Sequence, residues 1–246
     1  MRLAVPDVDV ARALAQQWAE GASPVESWEP VPLYAAERLL RAGHADLAFV
    51  PTLAVLRDPD AFSVVPGIGL VGHVYASVRL RVLGRLDRIQ RVGIDPHFAQ
   101  EALLAQVVLK ELYDATPSFV PLQAGEDLPA DLDAVLSVGT EPPGEGLVLD
   151  LGQEWFEMTT RPMVWALLAA PVGTVTPDEA NRLRDEALRL HPPDDLGTTH
   201  EIGGVTLAAY AHAGLDEWVN QLFYHRALDD LPAIPFVVLQ PPDEEE

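Results

Sequence analysis

The feature that most constrains this chain is a set of short apolar runs that leave no polar face. Met163 to Ala170, Ala45 to Val50 and Ala134 to Val138 are the clearest. Each is far shorter than the roughly 18 apolar residues a membrane span needs. A run of this kind reads as a strand covered on both faces by other elements. Further strands are expected at Arg2–Val5, Phe62–Leu70, His73–Val82, Arg91–Ile94, Ser118–Leu122 and Leu147–Leu149. Helices are expected at Val8–Ala19, Val31–Ala42, His97–Leu112, Gln153–Met158, Pro177–Leu190 and Leu215–Leu228, the second stopped by Gly43. Strands alternating with helices predict an α/β fold whose sheets are parallel and covered by helices. Ligands in such folds lie beyond the carboxyl ends of the strands. The places to search are therefore Pro6-Asp7, Pro51-Thr52, Gly72-His73, Asp95-Pro96-His97 and Gly139-Thr140.

Charge narrows the partners. The 246 residues hold 16 Lys and Arg against 38 Asp and Glu, a formal net charge of −22. A field of that sign repels phosphate backbones and anionic lipid surfaces, so neither nucleic acid nor membrane is an expected partner. Lys110 is the single lysine, and an acid-rich, lysine-poor chain hints at a salty cytoplasm. There is no cysteine, which removes disulfides, thiolate nucleophiles and cysteine metal sites. Met1 to Ala15 carries Asp7, Asp9 and Arg12 without a long apolar stretch, so a cytoplasmic protein is expected. The seven histidines are scattered, and Gly67-Ile68-Gly69 lacks the third glycine of a dinucleotide loop. No metal and no cofactor is expected.

Read together, several blocks carry a family resemblance. Asp46-Leu47-Ala48-Phe49-Val50-Pro51 is followed by Leu56-Arg57-Asp58-Pro59 and Val65-Pro66-Gly67. Then come Ser77-Val78, Val92-Gly93-Ile94-Asp95, Phe119-Val120-Pro121 and Val138-Gly139. The most specific block is Asp150-Leu151-Gly152-Gln153-Glu154-Trp155, with Thr159, Pro162 and Trp165 after it. This order resembles the chorismate dehydratase family of menaquinone biosynthesis (the futalosine pathway), of which the chain looks like a divergent member. The resemblance implies a type II periplasmic-binding-protein-like fold of two α/β lobes with a ligand cleft between them. One lobe would be 1–80 with 165–240, the other 81–164, and 241–246 an acidic disordered tail. The implied activity is that of a carbon–oxygen lyase, the conversion of chorismate to 3-[(1-carboxyvinyl)oxy]benzoate.

The candidate ligand-binding residues are Asp7, Thr52, Ser77, Asp95, His97, Gly139 and Thr140, and no residue is assigned a catalytic role. The expected partner is a small-molecule ligand, a carboxylate. The chain departs from the family where that carboxylate would be held. The family's opening asparagine falls on Val10. Its hydroxyl-rich segment after the aspartate becomes Pro96, His97, Phe98, Gln100 and Glu101. Pro96 has no N–H to donate, and a charged Glu101 would repel a carboxylate; His97 or Arg79 could compensate. Activity on chorismate is therefore expected to be weak. Two other readings stand beside the lyase: a non-catalytic cleft that binds a small ligand, and the sister enzyme acting on cyclic dehypoxanthinyl futalosine. Trp155 and Trp165 are expected in the core.

Overall fold

The computed structural model describes residues 1–72, 78–123, 128–140, 144–190 and 204–239. The predicted acidic tail 241–246 and the His73–Ser77 part of one predicted strand lie outside the described residues.

Among the described residues, ten strands form two five-stranded sheets. The first contains β1 (Arg2–Pro6), β2 (Ser27–Val31), β3 (Leu47–Pro51), β4 (Phe62–Gly72) and β10 (Met163–Pro171), in the order β2-β1-β3-β10-β4. The second contains β5 (Val78–Val82), β6 (Arg91–Ile94), β7 (Ser118–Pro121), β8 (Ala134–Val138) and β9 (Leu147–Asp150), in the order β7-β6-β8-β5-β9. The helices are α1 (Asp9–Glu20), α2 (Ala36–Arg41), α3 (Thr52–Arg57), α4 (Ala99–Tyr113), α5 (Leu151–Thr159), α6 (Pro177–Leu190) and α7 (Ala209–Tyr224). The first sheet's chain thus breaks off at Gly72 and resumes at Met163, with every strand of the second sheet between.

The expectation of wholly parallel sheets is corrected. β2, β1 and β3 run parallel, but β10 is antiparallel to both β3 and β4. In the second sheet β6 is parallel to β7 and β8, while β5 is antiparallel to β8 and β9. Apolar residues on both faces report that a strand is covered, and say nothing about its direction. β10 runs against its neighbours because the chain re-enters the first sheet from the second.

Burial on both faces is visible residue by residue. Leu47 and Phe49 of β3 pack into one core with Leu14 and Trp18 of α1 and Leu183 of α6. Ala48 and Val50, on the opposite face, pack with Leu40 of α2 and Leu215 of α7. α1 buries Ala11, Leu14, Ala15 and Trp18, the i, i+3, i+4, i+7 stripe of an amphipathic helix. α6 is started by a capping box: the Thr176 N–H donates to Glu179 Oε2 at 2.9 Å and the Glu179 N–H returns to Thr176 Oγ1 at 3.3 Å. The predicted helix Val31–Ala42 splits, because Val31 ends β2 and a 3₁₀ turn, Leu33–Ala35, precedes α2. The last predicted helix begins earlier than expected, at Ala209.

The motif block at Asp150 is structural. Asp150 Oδ1 accepts from the N–H groups of Gly152 and Gln153 at 2.9 and 3.0 Å, capping α5. Glu154 accepts a 2.6 Å hydrogen bond from the Tyr113 hydroxyl of α4, and Trp155 meets Trp218 of α7 edge-on, 5.5 Å between ring centres. Trp155 and Trp165 are buried, as expected. α5 is thereby tied to one helix beside the second sheet and one beside the first.

Candidate functional site

Two cavities meet around the start of α4. One, of about 470 Å³, is lined by Asp7 after β1, the Pro30–Tyr34 segment, Phe98, Glu101, and Val138-Gly139 at the end of β8. The other, of about 300 Å³, is lined by Tyr34, Glu37, Pro51, Leu53, Arg57, His97, Gln100 and Glu101 among others. Tyr34 and Glu101 line both. The walls come from both sheets and lie at the carboxyl ends of β1, β3, β6 and β8, where α/β folds hold their ligands. Each volume is in the range of small-molecule clefts.

The expected residues divide. Asp7 and Gly139 line the larger cavity, and Asp7 also pairs with Arg12 at 2.8 Å. Gly139 has φ +77°, the left-handed region that suits glycine, and so turns the chain away from β8 at the cavity wall. His97 lines the smaller cavity. Asp95 is turned to His97 rather than to open space: its Oδ1 accepts the His97 N–H at 3.0 Å and lies 2.7 Å from His97 Nδ1. That backbone hydrogen bond, more than any other cause, holds the Asp95 carboxyl below its usual range. Thr52 is buried, and its hydroxyl donates to the Val164 carbonyl at 2.7 Å. Thr140 is exposed and is not among the residues lining either cavity. Ser77 lies outside the described residues. Arg79 is half-buried on β5, between Ser137 and Asp150 in register. Val10 packs partly buried against the core.

Three residues outside the set of candidate ligand-binding residues shape the site. Tyr34 bridges to α4, its ring 4.8 Å from the His97 ring and 5.6 Å from Phe98. Gln100, 3% exposed, accepts the Leu53 N–H at 2.9 Å and donates to the Trp165 carbonyl at 2.9 Å. Its amide therefore joins α4 to the start of α3 and to β10. Glu101 is 6% exposed, and burial pushes its carboxyl up from 4.5 to about 7. The signal for the last two was their position: residues 100 and 101 sit one turn before Leu104 and Ala105, on the stripe that α4 buries. Among the described residues, no cluster of three or more His, Asp or Glu could hold a metal ion, and no helix is long and apolar enough to cross a membrane.

Comparison with known proteins agrees with this architecture. A chorismate dehydratase of Thermus thermophilus is 30% identical over 155 residues, 54% of this chain. The chain spans about half of that relative's length, 56%. Among solved structures, a protein from Archaeoglobus fulgidus superposes with a TM-score of 0.59 at 14% identity, covering 92% of this chain and 98% of that one. The periplasmic aliphatic sulphonate binding protein SsuA of Escherichia coli gives 0.54 at 13% identity, over 100% and 94%. The two-sheet architecture is thus that of the periplasmic binding proteins. The sequence profile of a family described as menaquinone biosynthesis matches residues 31–189, more than half of the chain and the whole stretch from the end of β2 almost to the end of α6. The chain belongs to the menaquinone biosynthesis family.

Proposed function

We propose that this protein is a lyase of the chorismate dehydratase type, which removes water from chorismate to give 3-[(1-carboxyvinyl)oxy]benzoate. The observation that carries the reading is the cavity beside Glu101, at the carboxyl ends of β1 and β8, in a chain 30% identical to a chorismate dehydratase over 155 residues. The elimination breaks the ring C–H at the ether-bearing carbon and the neighbouring C–O bond. The C–H electron pair becomes part of the aromatic ring, and the hydroxide leaves as water after taking up a proton. The reaction needs a base for the ring proton and an acid or a polarising donor for the hydroxyl. The substrate's own carboxylate supplies a base, so the protein's main task is to hold the ring in one pose and exclude water. Tyr34 and Phe98 offer aromatic faces for that, and Asp7, Glu101 and the Tyr34 hydroxyl offer polar contacts.

One observation favours a second reading, a cleft that binds a small acid without turning it over. The Gln100 amide already satisfies the Leu53 N–H, a donor at a helix start of the kind that suits a carboxylate. A steady-state assay separates the two. We expect conversion of chorismate slower than the roughly 1 per second or more of ordinary enzymes, and faster conversion by Val10→Asn. Bound chorismate recovered unchanged after hours would sink the lyase reading and leave the binding protein. Turnover of cyclic dehypoxanthinyl futalosine, tested alongside, would point instead to the sister reaction.

A further inference from the structure

Glu101 is an odd residue to bury. It stands in the first turn of α4, is 6% exposed, and forms part of the wall of both cavities. Among the described residues no side chain or backbone group of another residue hydrogen-bonds or ion-pairs with its carboxyl. The groups that share its two cavities do not neutralise it. Asp7 after β1, held by Arg12 at 2.8 Å, lines the larger one with Tyr34, and no Lys or Arg is among the residues lining that cavity. In the smaller one, Glu37 of α2 and Asp58 after α3 are both held by Arg41, at 2.9 and 2.7 Å. His97 is turned to Asp95 at 2.7 Å. Arg57, at the end of α3, is exposed.

The donor beside it is its own backbone N–H, which offsets burial only in part. A carboxylate so buried with no cation is expensive, and the group responds by keeping its proton. A neutral carboxyl offers one O–H. An O–H facing a cavity beside another acid selects against further acidic protons and for a strong acceptor, above all a carboxylate oxygen. The arriving negative charge then makes the proton harder still to lose.

We propose that Glu101 enters the ligand complex as the hydrogen-bond donor, its O–H meeting a carboxylate oxygen of a small organic acid held beside Tyr34, so that the acid binds together with a proton. The proposal rests on the reading of the cleft as a site for small carboxylic acids. It reverses the sequence-based expectation that Glu101 repels such a ligand. The residue becomes the element that recognises the acid in a chain where the family's hydroxyl segment is replaced. It also explains how a cavity lined by two acids can accept an anion at all.

The test is calorimetric titration of the full chain with chorismate and with 3-hydroxybenzoate, at pH 5.5, 7 and 8.5, each in two buffers of different ionisation enthalpy. The natural chain should bind with uptake of close to one proton at the higher pH values. Its Kd should rise toward tenfold per pH unit above pH 7.5. Glu101→Gln keeps a neutral donor, so its Kd should be flat with pH, without proton uptake, and at pH 8.5 tighter than that of the natural chain. Glu101→Ala should bind weakly at every pH. Affinity in the natural chain that is flat from pH 5.5 to 8.5 without proton uptake would overturn the proposal. So would loss of binding in Glu101→Gln at all pH values, or failure of both acids to bind the natural chain at millimolar concentration. Turnover is a separate readout. Proton-linked binding without product leaves Glu101 in this role and removes the lyase reading, and turnover with pH-independent binding does the reverse.

Discussion

Glu101 also sets a pH dependence of folding that can be read without any ligand. Its carboxyl ionises near 4.5 when solvated and near 7 in the folded chain, because burial strips away the water that would stabilise the charge. Between those values the folded chain keeps a proton that the unfolded chain has released. Stability from this group is therefore present at low pH, falls as pH rises through that window, and levels off above it. The full penalty is about 3 kcal/mol. Glu101→Gln should match the natural chain near pH 4.5 and exceed its stability by up to that amount at pH 8, in paired urea titrations. Equal stabilities at pH 8 would mean that the carboxylate finds a compensating partner. Gln100 next to it behaves oppositely. Gln100→Ala strands the Leu53 N–H and the Trp165 carbonyl, two buried backbone groups, and should cost about 3 kcal/mol at every pH in the same titrations. Both positions fall on the buried stripe of α4, so their burial was legible in the sequence. Their opposite duties were not, because Gln100's partners lie 47 and 65 residues away.

At the scale of elements, α7 shows how a helix is held by what one residue lacks. Gly214 sits in mid-helix, where alanine would normally be preferred by about 1 kcal/mol. A Cβ there would lie 2.1 Å from the Pro162 carbonyl oxygen, just ahead of β10. Gly214→Ala should therefore destabilise by about 3 kcal/mol in spite of its better propensity, by forcing α7 off the sheet. A thermal melt unchanged or raised would show that the helix can shift cheaply. The same element carries Trp218, which meets Trp155 of the Asp150–Trp155 block. That block was the most specific signal of family in the sequence, and its residues cap α5 and pack helices rather than line the cavities described above. The most specific part of the family signal thus rested on scaffold, although Pro51, Val138 and Gly139 of the other blocks line the cavities.

The whole molecule is shaped by its charge. With 38 acids against 16 basic residues, 22 negative charges are in excess even if every Lys and Arg were paired. Repulsion among them opposes compaction. Salt screens this field over a Debye length of about 10 Å at 0.1 M. Raising NaCl from 10 mM to 0.5 M should raise the melting temperature by several degrees, since about 1 kcal/mol is worth ~2–4 °C at this size. A fall would mean that surface ion pairs such as Arg2–Asp46 contribute more than the excess charge costs. Such pairs are weak at exposed sites, which is why the opposite sign is expected.

The amino-acid sequence alone determined which segments are strands and helices over most of the chain, because apolar periodicity is a local property. It determined the family, through blocks whose spacing survives. It pointed to strand ends, where Asp7, His97 and Gly139 line cavities while Thr52 and Thr140, named by the same rule, line neither. The tertiary structure alone decided strand direction, above all the antiparallel β10, because a strand covered on both faces looks the same in either direction. It decided that Thr52 spends its hydroxyl on the Val164 carbonyl, 112 residues away. And it decided that Glu101 lies buried where the two cavities meet, in surroundings that favour its proton; that depends on which groups converge from distant parts of the chain, and no local pattern encodes it.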